Sequence, residues 1–339
     1  MERQYGMKIT VLGSGAWGTA LALVLVDNGN DVTLWTYKAE QAHTMRTERI
    51  NPRLQGVHLP DALHISDTWD SLTESEMIVM ATPSFAVRDT IRQIAPLVAR
   101  DTIVVSVSKG IERDTAQSLT QIMREELGEN GRLVVLSGPS HAEEVAHRVA
   151  TGCVAASSDM DAAQIVQDAF MNPNFRVYTN TDIIGVELGG ALKNVLALCC
   201  GVSDGMGLGD NTKALLMTRG MTEMARLGVA MGGKKETFAG LSGMGDLIVT
   251  CTSMHSRNRR CGILIGQGMP IQQALKEIGA VVEGYYAAFT AHQLSQKIGV
   301  EMPICECAYR ILYENQSVES VVEQLMTRSK RREVDETWI

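Results

Sequence analysis

Short runs of apolar, largely β-branched residues alternate with stretches of helical periodicity through the first half of the chain. The runs at 8–12, 31–35, 77–81, 102–107 and 133–136 stop at small or polar residues, among them Thr82-Pro83, Ser108-Lys109-Gly110 and Ser137-Gly138-Pro139. Unbroken apolar runs of this length predict strands buried on both faces, and helices between them predict a parallel sheet covered on both sides. In such a sheet ligands bind beyond the carboxyl ends of the strands, where Thr82, Lys109 and Gly138 all fall. After about residue 185 the strand signals fade. Helical spacing then recurs at 188–200, 211–227, 259–266, 271–276, 285–298, 305–313 and 317–327. The expected architecture is α/β: a parallel-sheet domain over residues 1–188 and an all-helical domain over 189–339. No Pro- or Ser-rich joint separates them, so a shared interface is expected, with the substrate site on it. There is no internal repeat and no low-complexity segment.

The first strand leads directly into Gly13-Ser14-Gly15-Ala16-Trp17-Gly18. Trp17, Leu21, Val24, Leu25 and Asn28 follow at helical spacing until Asn28-Gly29 ends the pattern. In isolation G-x-G-x-x-G also reads as a plain glycine turn. Between a strand and a helix it reads as a pyrophosphate site. Gly13 permits the turn, Gly15 lets the phosphates reach the backbone, and Gly18 lets helix and strand pack closely. The helix N-terminus adds N–H donors and the positive end of a dipole. The first domain is therefore expected to be of Rossmann type and to bind NAD or NADP. The second strand ends Trp35-Thr36-Tyr37-Lys38, with no carboxylate until Glu40. A neutral or cationic end tolerates a 2′-phosphate, so NADP is admissible as well as NAD, and Tyr37 and Lys38 are expected to frame the adenosine ribose.

A chain of 339 residues exceeds what one hydrophobic core usually supports, in keeping with two domains. A net charge of −8 argues against nucleic acid as a main partner. The basic cluster Lys330-Arg331-Arg332 reads as a solvated tail. No apolar run of spanning length and no signal-peptide pattern is apparent, so neither a membrane span nor export is expected. The seven cysteines form no C-x-x-C pair, which suggests neither a metal site nor a disulfide framework and fits a reducing cytoplasm.

Several polar residues interrupt these patterns. Lys109 stands where a cation after a strand can reach a bound anion, although a surface lysine in a turn gives the same pattern. Ser140 with Glu143 has the S-x-x-E form of a capping box, at a helix start that also suits a phosphate. Lys193 lies in Gly189-Gly190-Ala191-Leu192-Lys193-Asn194-Val195-Leu196, an ammonium in an otherwise apolar helix. Desolvated there, it would have a depressed pKa and could exchange a proton near neutrality; snorkelling to water is the alternative. Gly240–Leu247 sets Asp246 on a glycine-rich bend. Ser256-Arg257-Asn258 at a helix start supplies a hydroxyl, a guanidinium and an amide, a set that suits a phosphate monoester as well as a solvated face. Gly205, Gly207 and Gly209, with no strand before them, read as a turn ahead of a helix capped by Asn211.

Together these segments resemble the NAD(P)-dependent glycerol-3-phosphate dehydrogenases of the bacterial, soluble type. The likeness runs from the glycine loop through 108–110, 137–140, 189–194, 209–213 and 243–247 to 256–260 and Val281-Val282-Glu283-Gly284. It implies reversible reduction of dihydroxyacetone phosphate to sn-glycerol 3-phosphate, a phospholipid precursor, and a homodimer. By position Lys193 is similar to the family's proton-transferring lysine, with Lys109 and Asp246 beside it. Gly138, Ser140, Asn194, Ser256, Arg257 and Asn258 join those three as implied substrate contacts. Ala16, Trp17, Tyr37, Lys109, Ala142, Arg257, Val281 and Glu283 form the implied cofactor shell, beside Gly13, Gly15, Gly18 and Lys38 as read from the glycine loop and the second strand. A dehydrogenase of hydroxy or keto acids and a non-catalytic dinucleotide sensor are the rival readings.

Overall fold

The computed structural model describes residues 6–330 together with 332 and 333. Arg331 of the basic cluster and the first five residues of the N-terminal stretch lie outside the described residues. The chain divides into two compact units. One comprises the residues up to Ser108 together with Leu119–Ile183. The other comprises Lys109–Ser118 and the residues from Ile184 on.

The first unit is built on eight strands: β1 (Lys8–Leu12), β2 (Asp31–Trp35), β3 (Leu63–Ser66), β4 (Met77–Met80), β5 (Ile103–Ser106), β6 (Arg132–Ser137), β7 (Thr151–Ala156) and β8 (Phe175–Asn180). Its helices are α1 (Ala16–Asp27), α2 (Ala39–Glu48), α3 (Val87–Ile94), α4 (Leu119–Leu127), α5 (Ala142–Ala146) and α6 (Met160–Phe170). The strand order is β3-β2-β1-β4-β5-β6-β7-β8. The order reverses between β1 and β4, and a nucleotide binds beside such a reversal at the carboxyl ends of the strands. Side chains alternate between two cores, as strand geometry requires. Met77 and Val79 enter one core, Ile78 and Met80 the other.

The expected all-parallel sheet needs correction in one place, because β7 runs antiparallel to β6. Three strands escape the apolar-run test. β3 breaks its apolar residues with exposed His64 and with Ser66, β7 carries Gly152 and two alanines of low strand propensity, and β8 alternates buried Phe175 and Val177 with exposed Arg176 and Tyr178.

The second unit is helical: α7 (Ile183–Gly205), α8 (Gly209–Ala230), α9 (Lys235–Phe238), α10 (Asp246–Thr252), α11 (Arg257–Gly266), α12 (Ile271–Ile278), α13 (Glu283–Ile298), α14 (Pro303–Glu314) and α15 (Val318–Met326). The expected boundary at 188/189 falls inside α7. That helix is long and apolar enough to cross a membrane, with a mean hydropathy of 1.6 over its best window, contrary to the expectation from simple apolar runs. However, 83% of that window is buried, and Leu188, Leu192, Val195 and Leu196 centre the core of this unit. A helix apolar all round is what a central core helix requires. The segment 109–118 leaves β5 and joins this unit through Ile111, which is buried in the same core.

Two expected caps are not made. Helix α5 starts at Ala142 behind His141, and the Ser140 hydroxyl turns back to donate to the Gly138 carbonyl at 3.0 Å. Helix α8 starts at Gly209 behind Leu208, which puts Asn211 inside its first turn. Gly207 and Gly209, with φ of 73° and 80°, form the expected turn.

Candidate active site

The β1–α1 junction has the form its glycines predict, and each glycine answers a different need. A Cβ on Gly13 would come within 2.6 Å of the Ala81 carbonyl oxygen, and one on Gly18 within 2.0 Å of the Gly13 carbonyl oxygen. Packing alone requires both. A Cβ on Gly15 would meet nothing within 4 Å, and its φ of −67° suits any residue. Neither packing nor backbone conformation requires a glycine there, which is the pattern of a position that phosphates approach. Gly15 is also the N-cap of α1 and has no side chain to cap the first N–H groups, which leaves the positive end of the helix open to an anion. Ala16 and Trp17 form the first turn.

Along the same sheet edge, Thr82, Ser106 and Ser137 carry buried hydroxyls with no hydrogen-bond partner among the described residues, as does the Trp17 indole N–H. Unsatisfied buried polar groups are few in native proteins, and a row of them singles this edge out as a candidate binding site. Gly138, Ser140 and Ala142 follow β6 at this edge. Tyr37 and Lys38 follow β2 and are exposed. These residues fit a dinucleotide: glycine-loop backbone and α1 N–H groups for the pyrophosphate, and the β2 end for the adenosine.

In the second unit, three of the residues singled out from the sequence meet directly. Lys193 lies mid-way along α7, 5% exposed, and Asp246 opens α10 at 1% exposed. The Lys193 ammonium donates to Asp246 Oδ1 and, at 2.7 Å, to Thr250 Oγ1. The Lys109 ammonium donates to Asp246 Oδ2 at 2.7 Å. Thr250 Oγ1 in turn donates to the Asp246 backbone carbonyl at 2.6 Å. One carboxylate thus holds two ammonium groups, for a net charge of +1 when both are protonated.

The expected bend before Asp246 is a single π-helical turn, Leu241–Gly245, that runs into α10. Such turns recur at functional sites because they re-aim the residues that follow. Here the turn packs on α7: a Cβ on Gly189 would lie 2.7 Å from the Ser242 carbonyl oxygen. Gly189 is one helical turn before Lys193, so its bare face lets the Asp246 segment approach the lysine. Thr250 is the participant that the sequence reading missed. It stands four residues after Asp246 on the same helix face, a relation visible only once 246–252 is known to be helical.

Burial lowers the Lys193 pKa from 10.5 to about 8, against the opposing pull of Asp246. Burial alone would raise Asp246; the Lys109 and Lys193 charges outweigh it and hold the carboxyl below its ordinary value. The pair is therefore an ionised carboxylate beside an amine poised near neutrality.

Ser256 is the N-cap of α11, accepting from the Arg259 N–H at 3.2 Å, with Arg257 exposed and Asn258 buried in the first turn. Asn258 Nδ2 donates to Asn194 Oδ1 at 2.9 Å, and Asn258 Oδ1 accepts from the Gly284 N–H at 2.8 Å. One amide thus ties α7, α11 and α13 together and keeps a single N–H for a ligand. Val281 and Glu283 flank Val282, the N-cap of α13.

The sequence models of the NAD-dependent glycerol-3-phosphate dehydrogenase N-terminus and C-terminus match residues 8–163 and 182–323. The chain belongs to the NAD-dependent glycerol-3-phosphate dehydrogenase family. It is 50% identical over 333 residues to glycerol-3-phosphate dehydrogenase (NAD(P)+) of Bacillus subtilis strain 168, covering 97% of this chain and 96% of that one. The Clostridium acetobutylicum enzyme of the same name is 49% identical, over 96% of this chain and 98% of that one. A crystal structure of glycerol-3-phosphate dehydrogenase from Coxiella burnetii superposes with a TM-score of 0.92 at 39% identity, covering 95% of this chain and 99% of the other. The Rossmann-type first unit and the helical second unit are thus the architecture of glycerol-3-phosphate dehydrogenases.

Proposed function

We propose that this chain is an NAD(P)-dependent oxidoreductase that reversibly reduces dihydroxyacetone phosphate to sn-glycerol 3-phosphate. On this reading it acts in the cytoplasm as a homodimer and supplies glycerol 3-phosphate for phospholipid synthesis. The observation that carries the chemistry is a buried Asp246 carboxylate held between buried Lys193 and half-buried Lys109, in a chain of this family.

Bound nicotinamide dinucleotide supplies the hydride for the ketone carbon. As that carbon becomes tetrahedral, its oxygen gains negative charge. The Lys193 ammonium has three protons; bonds to Asp246 and Thr250 take two, and the third meets the oxygen. Lys193 stabilises the developing charge and then gives up this proton, becoming a neutral amine. In the reverse direction the neutral amine takes the proton from the alcohol. Asp246 stays ionised and orients Lys193, while Lys109 balances its charge and adds positive potential. Ser256, Arg257 and Asn258 at the start of α11, with Gly138, Ser140 and Asn194, hold the substrate. Grip on the phosphoryl group fixes the carbonyl for reaction. The cofactor contacts are Gly13, Gly15, Ala16, Trp17, Gly18, Tyr37, Lys38, Lys109, Ala142, Arg257, Val281 and Glu283.

The test follows NADH and NADPH absorbance with dihydroxyacetone phosphate, its unphosphorylated ketone and a set of keto acids. Turnover is expected with the phosphorylated ketone and is expected to be far weaker without the phosphate. Preference for a keto acid would move the chain to another dehydrogenase class, and consumption of neither cofactor would make it a sensor.

A further inference from the structure

Dinucleotide-binding units of this type commonly hold the ribose 2′-hydroxyl with a carboxylate at the end of the second strand. This chain has Thr36-Tyr37-Lys38 there instead. Strand β3 supplies what β2 lacks. The two strands pair in parallel with Trp35 opposite Ser66, and the Thr36 N–H donates to the Ser66 carbonyl at 2.9 Å. Asp67, the next residue, therefore emerges at the same carboxyl edge, one strand over.

A cavity of about 490 Å³ opens at this edge. Trp35, Tyr37, Asp67, Trp69, Phe85 and Asp89 are among its lining residues. Trp35 and Trp69 stack with centroids 4.1 Å apart and planes 18° apart, and Phe85 and Tyr37 are largely exposed apolar surface. Trp35 is 92% buried, yet its indole N–H has no acceptor among the described residues. Aromatic walls with an unsatisfied donor suit a purine nucleoside.

The charges on the walls are both negative. The cavity is lined by two carboxylates, Asp67 and Asp89, and by no cation. The nearby guanidinium groups are engaged: Arg46 pairs with Asp67, and Arg92 with Glu126 and Asp89. Lys38 lies over the Tyr37 ring, 5.4 Å from its centre. A dianionic 2′-phosphate here would face two carboxylates with Lys38, beside Tyr37, as its counter-charge, whereas a ribose hydroxyl would find an acceptor.

We propose that Asp67 determines which nicotinamide dinucleotide this enzyme prefers, by accepting the ribose hydroxyl of NADH and by occupying Arg46, the guanidinium that would otherwise take the 2′-phosphate of NADPH. The inference rests on the reading of the β1–α1 edge as the cofactor site.

Calorimetric titration of the full chain with NADH and with NADPH, alongside tryptophan fluorescence to report on Trp35 and Trp69, tests it without turnover. The wild type is expected to bind NADH at least about tenfold more tightly than NADPH, the scale of a hydrogen bond to a charged group. Asp67→Asn is expected to shrink that ratio by about tenfold or more, with NADH weakened and NADPH strengthened. Adding Arg46→Ala to Asp67→Asn is expected to remove the gain for NADPH. Asp67→Ser, uncharged and small, repeats the measurement should the asparagine variant not fold. A wild type that binds NADPH as well as NADH, or a ratio unmoved by loss of the Asp67 charge, overturns the inference and leaves the cofactor site standing. Binding of neither nucleotide overturns both.

Discussion

Lys193 is legible in the sequence because an ammonium interrupts an apolar helix, and Asp246 because a carboxylate follows three closely spaced glycines. Their contact is not, since they lie fifty-three positions apart in the chain and no local pattern encodes a long-range pair. Thr250 and Asp67 are hidden for a related reason: each gains its role from an element that the periodicity does not reveal. Arg257 carries the residue-scale prediction. It is exposed at the first turn of α11, where the cap is already made by Ser256, so its guanidinium is not needed to start the helix. Arg257→Ala should raise KM for dihydroxyacetone phosphate by about ten- to a hundredfold, the range for a lost charge-assisted hydrogen bond, with a smaller change in kcat. Steady-state kinetics would show this. An unchanged KM for the ketone would remove the phosphate clamp from the account.

At the scale of elements, the glycine loop separates packing from binding. Gly18 is pressed against the Gly13 carbonyl, and overpacking of this kind commonly costs about 1–3 kcal/mol. Gly15→Ala adds a methyl group into open space at an ordinary backbone conformation, so its folding stability should change by less than about 1 kcal/mol. Its nucleotide affinity should fall sharply. Thermal melts with and without NADH check both: Gly18→Ala melts lower on its own, while Gly15→Ala melts normally but gains little from the nucleotide. Most helices of the second unit are legible from their 3.6-residue period. The π turn and α10 are not, because three glycines within six residues, 240–245, read as a bend until packing on α7 holds them helical.

The chain forms two units, a sheet with a core on each face and a helical unit around a single core, and it crosses between them more than once, through 109–118 and again at Ile183–Ile184. The sequence shows the change from strand to helix near residue 185, but not the 109–118 excursion, whose single buried apolar anchor is Ile111. Stability of the assembled chain should carry the mark of Glu223. This carboxyl is buried on α8 and accepts the N–H groups of Ile304 and Cys305 at the start of α14, at 2.8–3.2 Å. Burial raises its pKa from 4.5 to about 7, despite those bonds. Between these values the folded chain holds a proton that the unfolded chain has released. The contribution of this group to stability is therefore full below about pH 4.5 and is lost as pH rises through about 7. Glu223→Gln, which cannot ionise, should show a smaller fall in Tm from pH 5 to pH 8 than the wild type. Parallel slopes for the two proteins would contradict the assignment.

The central claim is that Lys193 gives its proton to the ketone oxygen. Its most direct test is the pH dependence of kcat for reduction of dihydroxyacetone phosphate, measured for the wild type and for Lys193→Ala. With the amine near 8, wild-type reduction should decline as pH rises through about 8, and glycerol 3-phosphate oxidation should climb over the same interval. Lys193→Ala should lose about 10²–10⁴ in kcat and lack that inflection, while still binding NADH. A variant that keeps both wild-type turnover and the wild-type pH profile would contradict the account.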